Sequence, residues 1–264
     1  MINDKPSSRV LRIGSVSYLN AKPLIHGLEN DRDVELELAV PAKLLEGLQS
    51  RRFDVALLPV IDYQRLSDAR IVPSGGIGCD GPTLTVRIFS RTPIEQIATL
   101  ACDVESHSSV ALARILLAER YGITPRLVDL PAEGSDAPAM LLIGDKVVSQ
   151  EPVGMEYQLD LGAAWKELTQ MPFVFAVWVT RAGTDLADLP DRLRRARDRG
   201  LADLPNIVAR HAVSRGWPAD LAMQYLSVYL KYEIGPAQLD AIRHFHELAA
   251  KYAMIGTPRP LRLY

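Results

Sequence analysis

Residues 54–59 (Asp-Val-Ala-Leu-Leu-Pro) form a short, unbroken apolar run, and this is the strongest constraint on the architecture. A run of that kind is a strand buried on both faces, as strands of a parallel sheet are. Two further apolar runs precede it. Residues 10–16 read as a first strand. Residues 34–40 alternate Val34, Leu36, Leu38 and Val40 against Glu35, Glu37 and Ala39, the period of a half-exposed strand. Helical stretches are expected between them, over 21–28 and over 41–48, the second opening on a proline. The β-α-β-α-β order predicts a parallel sheet with right-handed crossovers.

The middle of the chain continues as α/β. A glycine-rich loop is expected over 74–81, with four glycines in that span. Strands are expected over 83–90, 99–103, 126–130, 139–143 and 173–180. An amphipathic helix runs over 108–121 with Gly122 as its stop, and another helix over 160–168. Beyond residue 184 the pattern contains no strand and three helices, over 190–199, 218–232 and 236–252. Strand-like crossings at 83–90 and 173–180 bracket the middle block. They predict two α/β lobes joined by a two-stranded hinge, with a helical carboxyl-terminal tail. One lobe would comprise 1–88 and 178–264, and the other 89–177. A cleft between such lobes suits a small molecule.

Composition narrows the partners. The chain has 264 residues, 23% of them charged, with a formal net charge of -2. That balance favours neither nucleic acid nor an anionic membrane. The two cysteines, Cys79 and Cys102, are too few for a disulfide framework. Residues 1–8 hold no apolar signal-peptide core, and no segment approaches the ~18 apolar residues of a membrane span. A cytoplasmic protein is expected.

Two motifs carry chemistry. Asn20 follows the first strand, in Ser17-Tyr18-Leu19-Asn20-Ala21-Lys22-Pro23-Leu24. In an open α/β sheet, ligands gather at the carboxyl ends of the strands. Asn20 can cap a helix, hold a ligand or take part in catalysis. The second motif, Glu105-Ser106-His107-Ser108-Ser109, precedes the 108–121 helix. Hydroxyls and free N–H groups at one helix start suit a carboxylate. The glycine-rich 74–82 segment lacks both the lysine of a phosphate loop and a dinucleotide spacing. His244 and His246, two apart, do not share a helix face, so no metal site is expected. The arginines of 192–199 read as a solvated face.

The chain closely resembles the chorismate dehydratase family of the futalosine route to menaquinone, on the scaffold of type II periplasmic binding proteins. The likeness runs over about 12–258. It rests on the Asn20 segment, Cys79-Asp80-Gly81-Pro82, Ser106–Val110, Leu142-Ile143-Gly144-Asp145, and Asp160-Leu161-Gly162-Ala163-Ala164-Trp165 leading to Pro172-Phe173-Val174-Phe175. The resemblance implies conversion of chorismate to 3-[(1-carboxyvinyl)oxy]benzoate and water, a hydro-lyase reaction with no cofactor and no metal. It implies Asn20 as the catalytic position, with Ser17, Thr85, Ser106, Ser108 and Ser109 binding substrate. Two departures stand out. Thr85 occupies a place often held by serine, and His107 one often held by arginine. The alternatives are a sister enzyme forming 1,4-dihydroxy-6-naphthoate from cyclic dehypoxanthinyl futalosine, which carries a different first motif, and a non-catalytic small-anion binding protein.

Overall fold

A computed structural model describes residues 9–103, 106–130 and 137–264. The segment examined for a signal peptide, 1–8, and Glu105 of the serine-rich motif lie outside the described residues.

The opening apolar runs form β1 (Leu11–Ser15), β2 (Val34–Leu38) and β3 (Val55–Pro59). β1 lies between the other two and pairs with both in parallel. Every residue of β3 is buried, as its unbroken apolar run requires. β2 is an edge strand and is half exposed, in keeping with its alternation. Helix α1 (Pro41–Gln49) links β2 to β3. The helix expected over 21–28 is replaced by three 3-10 turns, Leu19–Ala21, Pro23–Ile25 and Leu28–Asn30. Pro23 supplies no N–H, and Gly27 adopts a left-handed φ of 81°, so a continuous helix is broken twice.

The glycine-rich stretch is not a loop but the second half of β4 (Ala69–Cys79). Its glycines permit close strand approach. A Cβ on Gly76 would lie 2.6 Å from the Ala176 carbonyl oxygen, and one on Gly78 2.6 Å from that of Phe173. The chain then leaves this sheet. β5 (Val86–Ser90), β6 (Thr99–Cys102), β7 (Arg126–Asp129), β8 (Ala139–Ile143) and β9 (Tyr157–Asp160) build a second sheet, in the order β7-β6-β8-β5-β9. Helix α2 (His107–Tyr121) joins β6 to β7, and the short α3 (Lys146–Ser149) follows β8. Helix α4 (Leu161–Thr169) returns the chain to β10 (Phe173–Arg181).

β10 inserts antiparallel between β3 and β4, giving a six-stranded first sheet. The chain therefore crosses between sheets twice, after β4 and through α4. The expected division points, 88/89 and 177/178, fall inside β5 and β10, each of which stays in one sheet.

The tail holds α5 (Leu189–Ala202), α6 (Leu204–His211), α7 (Ala219–Gln224), a π turn at Tyr225–Tyr229, and α8 (Pro236–Lys251). It also holds a strand, contrary to expectation. Two-residue β11 (Leu230–Lys231) pairs with Cys79 and Gly78 of β4. A strand of two residues leaves no periodicity in the sequence. The arginine face of α5 is only partly solvated. Arg197 is buried, and Arg192 reaches Asp31 at 2.9 Å.

The crossings meet at Gly162, in the first turn of α4. A Cβ there would lie 2.5 Å from the Gly81 carbonyl oxygen and 2.7 Å from Cys79 Sγ. Both cysteines are free and buried, and burial pushes each thiol up to about 12. His246 is a satisfied core histidine. Its Nε2 donates to the Val60 carbonyl and its Nδ1 accepts from Gln64 Nε2, both at 2.9 Å. No cluster of three potential metal ligands occurs among the described residues.

Two outcomes follow from this packing. A helical Gly→Ala change ordinarily stabilises by about 1 kcal/mol, but Gly162→Ala should reverse that sign, lowering stability by about 1–3 kcal/mol in a denaturant titration, because backbone oxygen blocks the methyl. Burial lowers His246 from 6.5 to about 4. Between these values the unfolded state binds a proton that the native state does not, so stability falls as pH drops from 6.5 toward 4. The loss is roughly 3 kcal/mol. Urea midpoints across this range should show it, and His246→Gln should flatten the slope.

Candidate functional site

Asn20 sits in the 3-10 turn Leu19–Ala21, just past β1. It caps nothing, since neither of the first two turns has a side-chain cap bond. Instead it lines a cavity between the two sheets. Its side chain lies beside the Tyr225 hydroxyl and favours the ionised phenol, and its Oδ1 is buried with no hydrogen-bond partner among the described residues. The Tyr225 hydroxyl also lies 2.7 Å from Thr85 Oγ1. The two hydroxyls of this buried pair hydrogen-bond each other. The open Asn20 Oδ1 acceptor and the Thr85 hydroxyl both belong to residues on the cavity wall. Burial raises the Tyr225 phenol well above its ordinary range, so it stays protonated.

Thr85 is held by an unusual turn. Leu84 has a left-handed φ of 65°, a conformation that costs about 1–3 kcal/mol for a residue with a side chain. Asp160 offsets this. Its carboxylate accepts from Thr83 N at 3.0 Å and from Leu84 N at 2.8 Å. The same carboxylate caps α4 by accepting from Ala163 N at 3.0 Å. Thr83 Oγ1, also on the cavity wall, is buried without a partner among the described residues.

On the far side, the first turn of α2 brings Ser106, His107, Ser108 and Ser109 to the wall. Ser106 occupies the N-cap position without a side-chain cap bond. The first-turn N–H groups of His107, Ser108 and Ser109 have no acceptor within the helix. Ser108 Oγ accepts from Ile61 N at 3.3 Å, and His107 Nδ1 lies 2.6 Å from Asp62 Oδ2. These bonds tie α2 to the 3-10 segment Val60–Arg65 after β3. A second tie runs from the β8 side. Asp145 accepts from Trp217 Nε1 at 2.9 Å and pairs with Arg215 at 3.6 Å.

The structure thus gathers Asn20, Thr85, Ser106, Ser108 and Ser109 around one cavity. Ser17 is the exception. It is exposed, outside the lining, and its carbonyl accepts from Arg215. Asp80 is also outside and pairs with Lys166 at 2.7 Å. Tyr18, Thr83 and Tyr225 also line the cavity, and the sequence motifs do not single them out. Tyr225 lies 140 residues from Thr85, and within an amphipathic tail its pattern is that of any core tyrosine. Leu57, Ile77, Ile143 and Phe175 complete apolar walls. No Asp, Glu, Lys or Arg is among the described residues of the lining.

A model of a menaquinone biosynthesis family matches residues 11–251 of the chain. The chain belongs to this family. A chorismate dehydratase of Thermus thermophilus is 30% identical over 237 residues, covering 81% of this chain and 86% of that protein. A chorismate dehydratase of Campylobacter jejuni is 28% identical over 159 residues, covering 60% of this chain and 58% of that protein. Among solved structures, a protein of Archaeoglobus fulgidus aligns with a TM-score of 0.73 at 17% identity, covering 95% of this chain and all of that one (100%). The alkanesulfonate-binding protein SsuA from Xanthomonas axonopodis, bound to MOPS, aligns with a TM-score of 0.71 at 12% identity, covering 96% of each chain. These structural likenesses establish the fold of the family member as that of periplasmic binding proteins. Its chorismate dehydratase relatives make it an enzyme.

Tyr225→Phe tests the bond between the two hydroxyls. It leaves the Thr85 hydroxyl without this partner in a buried site, so stability should fall by about 1–3 kcal/mol in urea denaturation. A neutral outcome would mean that the bond is not formed.

Proposed function

We propose that the protein is a chorismate dehydratase, a cytoplasmic hydro-lyase converting chorismate to 3-[(1-carboxyvinyl)oxy]benzoate and water in menaquinone biosynthesis. The observation that carries this reading is the unpartnered Asn20 Oδ1 in a cavity whose described lining holds no Asp, Glu, Lys or Arg, opposite the first turn of α2. The family and its chorismate dehydratase relatives support the substrate. We infer that the two sheets belong to two lobes that close on it. No helix among the described residues is long and apolar enough to cross a membrane.

The chemistry follows from the lining. The substrate carries two carboxylates. One docks at the first turn of α2, on its N–H groups and the hydroxyls of Ser106, Ser108 and Ser109. The ring lies between apolar walls, which suit the flat aromatic product better than they suit bulk water. The reaction removes a ring proton and the neighbouring hydroxyl, and aromaticity drives it. Thr85 donates to an oxygen of the substrate, and Asn20 Oδ1 accepts from a hydroxyl. An amide is too weak a base to take the ring proton. The second carboxylate, on the enolpyruvyl arm, takes it and passes it to the departing hydroxyl, which leaves as water and returns the carboxylate to its ionised form. Asn20 acts by fixing the ring and arm in that geometry. Held proximity of this kind lowers barriers by several kcal/mol, about 7–11 in the best oriented cases.

The purified protein mixed with chorismate should deplete the diene absorbance and yield a product lighter by one water in mass spectrometry. Tight binding without turnover would overturn the enzyme reading. Asn20→Asp places a negative charge beside a dianion, so turnover should fall at least about tenfold. Turnover above wild type would mean that the site lacked a base rather than an orienting group.

A further inference from the structure

The proposed substrate is a dianion, yet the described lining of the cavity contains no lysine or arginine. One lining side chain can carry positive charge, and it is His107. It is the first residue of α2, flanked by the N-cap Ser106 and by Ser108 and Ser109. His107 lines the same cavity as the three serines, and it also borders an adjoining pocket with Arg65 and Arg114.

His107 is held from behind. Nδ1 lies 2.6 Å from Oδ2 of Asp62, a side chain with no exposure to solvent. Asp62 Oδ1 faces Arg65 Nε at 3.2 Å, so His107 and Arg65 lie against different oxygens of the carboxylate. A carboxylate acceptor requires the proton on Nδ1, which fixes the ring's orientation and leaves Nε2 as the available nitrogen. Nε2 has no partner among the described residues. The arrangement is a buried carboxylate, an imidazole, and an open nitrogen at a helix start built for anions.

We propose that His107, oriented by Asp62, is the cationic contact for a substrate carboxylate at the head of α2. Asp62 is its positioning residue. The inference rests on the reading of a dianionic substrate. It assigns to an imidazole the charge that neither the hydroxyls nor the helix end can supply in full. It also accounts for the absence of lysine and arginine from the lining, since one cation with a buried counter-charge neutralises an incoming carboxylate without leaving the empty cavity strongly charged.

Steady-state kinetics of the full chain with chorismate test it. His107→Gln should raise KM about tenfold, the loss of a charge-assisted hydrogen bond, with kcat within about threefold of wild type. His107→Arg keeps the charge and should hold KM within about threefold. Asp62→Asn should raise KM in the same direction while the thermal melt of the protein stays cooperative. If Asp62→Asn does not fold, the His107 pair decides. A KM for His107→Gln within twofold of wild type overturns the proposal, as does an equal effect of Gln and Arg. A loss confined to kcat also overturns it, because that pattern belongs to a base acting on the ring. If the wild type does not turn over chorismate, the reaction reading fails by itself. Calorimetric binding of isophthalate, an aromatic dianion, to wild type and the same His107 variants then decides the inference: weaker binding by Gln than by Arg supports it, and equal affinities overturn it.

Discussion

Asp160 accepts three backbone N–H groups at the place where the chain passes between its two sheets. Two come from Thr83 and Leu84 and one from Ala163. Hydrogen bonds to a charged group contribute about 1.5–3 kcal/mol each, enough to hold Leu84 in a left-handed conformation that would otherwise relax. Loss of that turn would move Thr85 off the cavity wall, and the bond from Gly144 N to the Thr85 carbonyl would go with it. The same carboxylate starts α4, whose Gly162 packs against the Gly81 carbonyl. One side chain therefore couples the strand-to-strand passage, the helix that brings the chain back, and the hydroxyl at the site.

The site itself is mostly neutral. Its polarity comes from an amide, hydroxyls and helix N–H groups, and several of these side chains are held by a bond to a buried partner. Tyr225 binds Thr85, Ile61 binds Ser108, and Asp62 binds His107. Groups held in this way lose little entropy when a ligand arrives, which is the physical content of preorganisation. The π turn that carries Tyr225 fits the same logic. Such a turn re-aims a side chain inside an otherwise helical segment, and it ends where β11 begins.

Much of this architecture is legible in the chain. The unbroken apolar run of β3 and the alternation of β2 announce parallel pairing and a half-exposed strand, and both are found, although antiparallel β10, β4 and β11 make the complete sheet mixed. The legible part of the site is local: Asn20 after β1, and the serines before α2. What escaped notice is long-range. The glycines at 76 and 78 look like a loop because their purpose, close approach to β10, depends on residues about a hundred positions later. Tyr225 is indistinguishable from a core tyrosine until the tail is folded back. Ser17 belongs to the same motif as Asn20, yet the broken 3-10 path through Pro23 and Gly27 leaves it facing solvent.

The placement of β10 has a consequence for how the chain comes into being. β1, β2, β3 and β4 leave the ribosome early, yet β3 and β4 are not neighbours in the finished sheet. The gap between them is filled by a strand made after the whole second sheet. Until residue 181 emerges, β3 and β4 each present an open edge of hydrophobic backbone, a surface prone to pairing with the wrong chain. The nascent protein must keep that slot vacant while it builds an entire sheet elsewhere. Its period of greatest vulnerability to aggregation is therefore set by topology, and ends when one late strand slides into place.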